Sequence, residues 1–205
     1  ALDASLGRLQ AEEFLFERRA RAQPVYAFKH TLTHEAAYAS LLQQPRRELH
    51  ARILAVIEEA AAPRTADQLD ALAWHAIRGQ VWDKAATYSR QAGALAADRS
   101  ANRAAVAHFE QAILAIGRLP ATPERRAEEL ELRLHIRNAL FVLGEHGAIM
   151  DQLSQAEHLL VGIDDRSAHA RILLHISGWH WQQGQHRRAL AAGQRVLAIA
   201  GKGGD

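Results

Sequence analysis

Four positions recur at identical intervals in two distant parts of this 205-residue chain. The intervals are 12, 4 and 3 residues in both places. The two sets are Gly93, Ala105, Phe109 and Ala112, and then Ser177, Ala189, Gly193 and Val196. Most of these side chains are small, and two helices can cross tightly only where side chains are small. The spacing therefore predicts antiparallel helix pairs that meet closely at fixed points.

Start and stop signals divide the chain beyond residue 44 into successive helices. We predict helices over about 45–61, 67–79, 82–97, 101–117, 123–143 and 148–161, and two more on either side of Gly184. Asp67 and Ser100 are predicted to cap the helices that follow them. Thr122, Pro123 and Glu124 combine a cap residue, a first-turn proline and an acid that the helix dipole favours. A loop is predicted over 162–165.

This arrangement resembles the tetratricopeptide repeat, in which small residues stand where the first helix of a pair meets the second. The pair between the two matching sets is degenerate, with Ile149, Leu153 and Ala156 on its second helix. The unit length is about 36–42 residues, against 34 in a regular array. The predicted fold is therefore mainly α: a tetratricopeptide-like α-α superhelix of about four pairs over residues 44–205.

The first 43 residues follow a different pattern and form a separate predicted domain. One face of a first helix carries Leu2, Leu6, Leu9 and Phe14. Apolar residues then alternate over 14–16 and 25–28, on either side of the basic, turn-forming stretch 18–24, which predicts a two-stranded hairpin. A second helix follows over 31–42. Helix, hairpin and helix together form the skeleton of the last part of a winged-helix domain.

Several short motifs occur in a specific order over residues 1–135. Among them are Tyr26-Ala27-Phe28-Lys29-His30, Glu35-Ala36-Ala37-Tyr38, Arg46-Arg47-Glu48-Leu49-His50, Leu72-Ala73-Trp74-His75 and Trp82-Asp83-Lys84-Ala85. They resemble a bacterial family of signalling proteins in which tetratricopeptide-like helices follow a STAND-type P-loop ATPase. Many members carry a class III adenylate or guanylate cyclase domain at the N-terminus. The resemblance implies a piece that straddles the winged-helix end of the ATPase and the repeats.

We expect the junction between these two regions to relay signals, and its candidate residues are Tyr38, Arg46, Arg47 and His50. Partner binding to the helical array would bias the ATPase through this junction, as a shift between two populated states. Arginines at the start of a helix oppose its dipole unless acids lie near. Glu48 is close in sequence, and exposed salt bridges are the simpler expectation for these arginines.

No catalytic motif is visible in the chain. The phosphate-binding pattern GxxxxGK[ST] is absent, and Gly201-Lys202-Gly203 lacks both its spacing and its Ser or Thr. No cyclase metal-binding segment, nucleophile–base pair or convergent acid pair is recognisable. We predict a non-catalytic protein-interaction module that needs no cofactor, with a catalytic fragment as the alternative.

Composition limits the choice of partner and compartment. The chain has no cysteine, which excludes disulfides and thiolate metal sites and is compatible with a reducing cytosol. No apolar run reaches the roughly 18 residues of a membrane span. The start lacks both Met and the features of a signal peptide, so we interpret the chain as an excised or processed piece. We predict a cytoplasmic protein without membrane contact.

Histidine and arginine patterns raise two further alternatives. His34 and Glu35 begin a motif that ends in Tyr38, where a zinc site would need a second histidine. His175 and His180 would diverge by about 140° on a helix, so no metal site is predicted.

Basic residues of the predicted hairpin loop, Arg18, Arg19 and Arg21, are able to contact DNA phosphate. An alternative function is therefore that of part of a STAND-type transcription regulator whose winged-helix element contacts DNA. Against it, Glu12 and Glu13 on the preceding helix would repel phosphate, and a net charge of +2 provides little attraction to nucleic acid. We expect a protein or peptide ligand, or neighbouring domains of the parent protein, as partner.

In tetratricopeptide repeats the first helix of each pair lines a concave groove. Carrying that register over from Ser177 and Gly93 selects the candidate partner-binding residues Arg90, Asp98, Arg171, Leu174, Trp181 and Gln182. Trp179 and Trp181 are two residues apart and must face different ways. An aromatic side chain between arginine and glutamine suits a peptide-binding hot spot. The alternative is that Trp181 packs on a neighbouring helix or on a further repeat.

Overall fold

The computed structural model describes residues 2–20, 23–59, 65–161 and 165–201. Within these ranges the chain forms ten α-helices and one β-hairpin. The elements are α1 (Leu2–Ala11), β1 (Leu15–Ala20), β2 (Gln23–Phe28), α2 (Thr31–Ser40), α3 (Gln43–Glu59), α4 (Ala66–Arg78), α5 (Trp82–Asp98), α6 (Asn102–Ile116), α7 (Pro123–Leu143), α8 (His146–Leu159), α9 (Arg166–Gln182) and α10 (His186–Ala200). Two compact units, Ala1–His50 and Ala51–Asp205, divide within α3.

The first unit has the predicted order of helix, hairpin and helix. The strands pair antiparallel, with Leu15 opposite Phe28 and Ala20 opposite Gln23. Both strands extend into the stretch predicted as a loop, and residues 21–22 of that stretch lie outside the described residues. The prediction that Phe14 lies on the α1 face is wrong, because α1 ends at Ala11 and the left-handed residue Glu13 (φ 60°) turns the chain toward β1.

Most helix ends of the second unit lie where the sequence predicted them. Thr122 caps α7, accepting a hydrogen bond from the backbone N–H of Arg125 at 3.3 Å. Gly79 and Gly117 are the C-caps of α4 and α6. Gly144 closes α7 in the left-handed conformation at φ 73°, which glycine adopts without steric cost.

Two predicted caps are wrong. Asp67 lies in the first turn of α4, and the cap is Thr65, which forms a reciprocal capping box with Gln68. Ser100 does not cap α6, whose N-cap is Ala101 without a side-chain hydrogen bond. Ser100 instead has a left-handed backbone at φ 60° and turns the chain two residues before α6 begins.

The left-handed residue at this turn position is a regular feature of the array. Gln80, Ser100, Gly144 and Gly184 all have positive φ, at 56°, 60°, 73° and 68°. Each of them lies two residues before the next helix begins. The first two turns therefore use residues with a Cβ where the last two use glycine, which is the residue best suited to this conformation.

The helix pairs meet at the residues that the intervals predicted. A Cβ added to Gly93 of α5 would lie 2.6 Å from the Phe109 ring of α6. In the second matching pair, the Ser177 hydroxyl of α9 donates to the Ala189 carbonyl of α10 at 2.8 Å. A Cβ added to Gly193 would lie 3.8 Å from the same hydroxyl. Small side chains therefore permit close approach at both crossings.

One continuous core runs through the second unit, from Leu54 in α3 to Ala192 in α10. Its largest fully buried apolar residues are Phe109, Leu54, Leu72, Leu132, Ile136, Ile149, Leu153, Leu160 and Ile172. From α4 to α10, each helix packs on the next one along the chain. Nearest-neighbour stacking of this kind builds a repeat protein, in which no single pair buries its own apolar face.

Candidate functional site

The first helices of the last three pairs are α5, α7 and α9, and ion pairs connect them. The Arg90 side chain of α5 lies 3.4 Å from the Glu128 carboxylate of α7. Arg171 of α9 donates to the Glu131 carboxylate of α7. We call the exposed side chains of these three helices the A-helix face. Because the arginines are paired across helix boundaries, their stems are oriented along this surface.

All six predicted groove residues lie on the A-helix face and are exposed. They are Arg90 and Asp98 on α5, and Arg171, Leu174, Trp181 and Gln182 on α9. Two of them are large apolar side chains left open to solvent, Leu174 at 57% and Trp181 at 65%. An exposed leucine and tryptophan on one helix face mark a candidate interaction surface.

The two neighbouring tryptophans of α9 have opposite environments, as their two-residue spacing predicted. Trp179 packs against the core, and its indole N–H donates to the His146 carbonyl oxygen at 3.0 Å. Trp181 is mostly exposed and touches the His186 ring edge-on, with ring centroids 4.8 Å apart. Trp181 therefore has a fixed neighbour on one side and a free apolar surface on the other.

Helix α7 also contributes to this surface, although none of its residues was predicted to do so. Glu128, Glu131, His135 and Val142 recur at three- to seven-residue intervals on the side of α7 that is not buried. Val142 is 69% exposed. The register depends on Gly93 and Ser177 of the two regular pairs, and the degenerate pair has no small residue at the matching position. The signal that marks these residues is the alternation of buried leucines with polar positions along α7.

A histidine and two arginines lie between α7 and α9. Burial lowers the pKa of His175, and the positive charges of Arg137 and Arg171 lower it further. Burial also lowers the pKa of the Arg137 guanidinium, which donates to Asn138 Oδ1 at 3.0 Å. Burial and the two neighbouring positive charges therefore all favour the neutral form of His175.

The predicted junction residues Tyr38, Arg46 and His50 come together in the first unit. The Tyr38 hydroxyl and His50 Nε2 are hydrogen-bonded at 2.9 Å, and His50 is 3% exposed. The Arg46 guanidinium lies over the Tyr38 ring, 4.3 Å from its centroid. Its Nη2 also donates to the carbonyl oxygens of Tyr38 and Leu41, both at 2.9 Å.

Arg46 therefore stabilises the C-terminal end of α2 more than the N-terminal end of α3. The carbonyl groups at a helix C-terminus lack partners within the helix and carry partial negative charge, so a guanidinium there is stabilising. A salt bridge, the simpler expectation for this arginine, is not its main contact. Arg47 lies next to it on α3, and among the described residues it takes no part in this cluster.

A shallow cleft of about 400 Å³ opens between α6, α7 and α8. It is lined by Glu110, Ile113, Leu114, Arg133, Ile136, Gln152 and Gln155. Arg133 is held by the Glu129 carboxylate and by Gln152 Oε1 at 3.1 Å. The lining has no nucleophile and no pair of carboxylates, so this cleft offers no catalytic arrangement.

Two kinds of feature are absent from the described ranges. No group of three or more histidines and carboxylates there is arranged to hold a metal ion. No helix of the described ranges has the length and apolar character of a membrane span.

The solved structures with a similar chain course include those of three proteins. A putative kinesin light chain of Podospora anserina with nearly identical TPR-like repeats is 12% identical, with a TM-score of 0.50, and the match covers 82% of this chain and 91% of that one. MamA MSR-1 C2 is 12% identical, with a TM-score of 0.44 and coverage of 83% and 98%. Bacillus thuringiensis PlcR, solved with the peptide PapR7 and DNA, is 9% identical, with a TM-score of 0.45 and coverage of 84% and 72%.

No protein-family model matches this sequence, and no curated protein matches it. The likeness to the kinesin light chain repeats concerns the fold alone, because the identity is low. Together with the helix pairing, it defines a tetratricopeptide-like helical repeat protein. The predicted fold class is confirmed.

Proposed function

We propose that this chain is a non-catalytic protein-interaction module that holds a peptide segment of a partner on its A-helix face. The observation that carries the proposal is Trp181, exposed at 65% on a helix whose other side is buried in the core. Leu174 lies two turns before it and is also exposed. Interface hot spots are enriched in tryptophan and arginine, and this surface presents both.

The charges of the same surface suit an extended segment with polar groups beside an apolar anchor. Arg171 and Glu131 pair with each other, so a peptide amide or side chain that enters here meets a donor and an acceptor side by side. The apolar part around Trp181 would receive an aliphatic or aromatic residue. We expect Trp181→Ala to cost about 2 kcal/mol of binding free energy, which is roughly a 30-fold increase in Kd.

Affinity capture with immobilised protein tests this proposal. Four forms are compared: the native chain, Trp181→Ala, Arg171→Ala and the control Trp74→Ala. Trp74 is a second exposed tryptophan, at 46%, and it lies on α4, which is not one of the three helices of the A-helix face. Proteins retained by the native chain are identified by mass spectrometry, and the Kd of each purified partner is then measured by calorimetry.

The expected partner binds the native chain and Trp74→Ala equally, and binds Trp181→Ala and Arg171→Ala more weakly. If all four forms bind the partner with the same Kd, the A-helix face is not the binding site. Nucleotide turnover by the chain should not exceed the blank, and measurable hydrolysis or cyclisation would contradict a non-catalytic role.

We also propose that the array belongs to a larger cytoplasmic signalling protein and stands beside a STAND-type P-loop ATPase, as in nucleotide-cyclase signalling proteins. The motifs that resemble this family support the proposal, and so does the contact of Tyr38 with Arg46 and His50. This cluster ties α2 to α3, the helix that runs on to Glu59. Partner binding would then favour one of two states of the parent. A coding sequence without a P-loop upstream of this chain would contradict the proposal that the array stands beside a STAND-type ATPase.

A further inference from the structure

The first helix of the degenerate pair has an arginine where the two regular pairs have a small residue. Arg137 of α7 lies 12 residues before Ile149 of α8, the interval that separates Gly93 and Ser177 from the second helices of their own pairs. Arg137 is half-buried, and its Nε is buried without a hydrogen-bond acceptor among the described residues. Burial lowers the pKa of its guanidinium. A charge that loses hydration in this way is unfavourable unless an anion compensates it.

No carboxylate of the described residues compensates the charge of Arg137. Its Nη1 donates to Asn138 Oδ1 at 3.0 Å, and its guanidinium carbon lies 5.2 Å from the centroid of the Phe141 ring. Glu131 is the last acidic residue of α7, and its carboxylate already pairs with Arg171. The helix sequences of α9 and α10 contain no acidic residue. The charge of Arg137 is therefore available to a ligand.

His175 of α9 adds a second basic group beside this arginine. Burial, and then the positive charges of Arg137 and Arg171, lower the pKa of His175. Its imidazole makes no hydrogen bond within the described ranges. Of the other helices that pack on α9, α10 contains no acid, and α8 contains Asp151 and Glu157, of which Glu157 pairs with an α10 arginine. An anion between Arg137 and His175 would therefore favour the charged form of both groups.

We propose that the A-helix face binds an acidic side chain of the partner segment, with its carboxylate held between Arg137 and His175. The carboxylate would accept one hydrogen bond from the guanidinium and one from the imidazole, and charge-assisted hydrogen bonds of this kind are short and strong. The inference rests on the proposed function of this face, and it specifies which type of residue the partner places there.

The neighbouring charges favour a carboxylate over a phosphate group. Glu131 neutralises Arg171, so the site offers the one full positive charge of Arg137. A phosphate group carries nearly two negative charges at pH 7, and the Glu131 carboxylate would repel the second one. Trp181 lies six residues beyond His175 on α9, a rise of about 9 Å, which an extended peptide spans in about three residues. The partner segment should therefore have an acidic residue about three residues from its apolar anchor.

Synthetic peptides with a single carboxylate provide the probe. Each nine-residue peptide has one tryptophan in a glycine–serine background and one aspartate two, three or four residues to either side of it. A second set has asparagine in place of aspartate. Acetylated and amidated ends leave the aspartate as the only carboxylate. Two-dimensional NMR of the ¹⁵N-labelled chain follows the Arg137 Nε–H signal and the His175 ring nitrogens during each titration, and it gives the Kd.

Three forms of the chain are titrated: the native chain, Arg137→Met and the control Arg187→Met. Arg137→Met keeps an apolar stem and removes the charge, and Arg187→Met removes an exposed arginine of α10, outside the A-helix face. At least one aspartate peptide should bind the native chain and Arg187→Met about fivefold more tightly than its asparagine counterpart. This preference should disappear in Arg137→Met. Equal binding of the two peptide sets by the native chain, which needs no variant to fold, would overturn the proposal.

The His175 ring gives a readout that a purely structural role would not change. The bound aspartate peptide should raise the pKa of His175, because a nearby carboxylate favours the protonated ring. Its affinity should therefore increase between about pH 7.5 and about pH 5.5, where aspartate, with a pKa of about 3.9, stays ionised. The asparagine peptide should show no such increase. A His175 pKa that the aspartate peptide leaves unchanged would contradict the proposed carboxylate position.

The same titrations distinguish this inference from the proposed function. If Trp181→Ala weakens both peptide sets and the native chain binds them equally, the face binds peptides and the carboxylate site is wrong. If Arg137→Met removes the aspartate preference and Trp181→Ala changes nothing, the carboxylate site is supported and Trp181 is not the anchor. Inorganic phosphate that shifts the Arg137 and His175 signals at lower concentration than any aspartate peptide would assign the site to a phosphate group and overturn the proposal. Absence of a shift with every peptide would also overturn it.

Discussion

Replacing Gly93 by alanine should destabilise the array, although alanine normally favours a helix. In an open helix interior this change contributes up to about 1 kcal/mol of stability. The new Cβ, however, would lie 2.6, 2.7 and 3.1 Å from three ring carbons of Phe109, where carbon atoms prefer about 3.5–4.0 Å. Phe109 is 1% exposed and stacks on His135, so its ring cannot move into free space.

Overpacking a dense core costs about 1–3 kcal/mol, and overlap with three ring atoms places this site at the upper end. After subtraction of the helix-propensity gain, we expect Gly93→Ala to lower the free energy of unfolding by about 2 kcal/mol. Gly178→Ala is the matched control, because it is also within a helix and nothing lies within 4 Å of its added Cβ. That variant should be stabilised by up to about 1 kcal/mol.

Urea unfolding followed by circular dichroism at 222 nm measures both changes. At an m-value of about 2 kcal/mol/M, the midpoint should fall by about 1 M in Gly93→Ala and rise in Gly178→Ala. Leucine at position 109 would relieve the overlap, so Gly93→Ala with Phe109→Leu should lose less stability than the two single changes combined. If Gly93→Ala raises the midpoint as Gly178→Ala does, the helices do not meet at Gly93.

Three further predictions concern single side chains. Arg46→Met should remove the contacts to the α2 carbonyls and weaken α2 locally by about 1–2 kcal/mol, measured as faster amide exchange in residues 31–40 with the rest unchanged. Ser100→Gly should stabilise the chain by about 0.5–1 kcal/mol because glycine suits its left-handed backbone, and an unchanged urea midpoint would contradict this. The folded pKa of His175 lies below its unfolded value near 6.5, so its contribution to stability is complete above that pH and is lost as pH falls through it. His175→Gln should therefore show a shallower loss of stability between pH 7.5 and 5 than the native chain, and an identical pH dependence would contradict the placement of His175.

The helix pairs were predictable because their signals are local and physically strong. The sizes of the Gly93 and Phe109 side chains alone predict a close helix crossing. Thr122 followed by Pro123 predicts where a helix begins. The two cap predictions were wrong because local backbone geometry determines which residue caps a helix. Thr65 satisfies both ends of a capping box, which Asp67 cannot do from within the first turn. Ser100 adopts a left-handed backbone conformation at a turn, and a serine in the sequence does not predict that conformation.

The candidate surface was predictable only where the repeats are regular. The register from Ser177 located Trp181 and Leu174, and both are exposed. The same reasoning could not reach Glu131, because its partner Arg171 is 40 residues away and the pair between the two matching sets has no small residue at the position of Gly93 and Ser177. The contacts among the junction residues were likewise predictable only in part. Tyr38 and His50 were selected by resemblance, but their hydrogen bond depends on how α2 ends, which the sequence does not specify.

Site-specific photocrosslinking tests most directly whether the A-helix face holds partner proteins. A benzophenone amino acid is placed at Leu174 on this face in one variant, and at Leu114 on α6 in another. Both leucines are more than half exposed, at 57% and 52%. A partner captured by the native chain should crosslink from position 174 and not from position 114. Crosslinking from position 114 alone, or equally from both, would show that the protein is bound elsewhere.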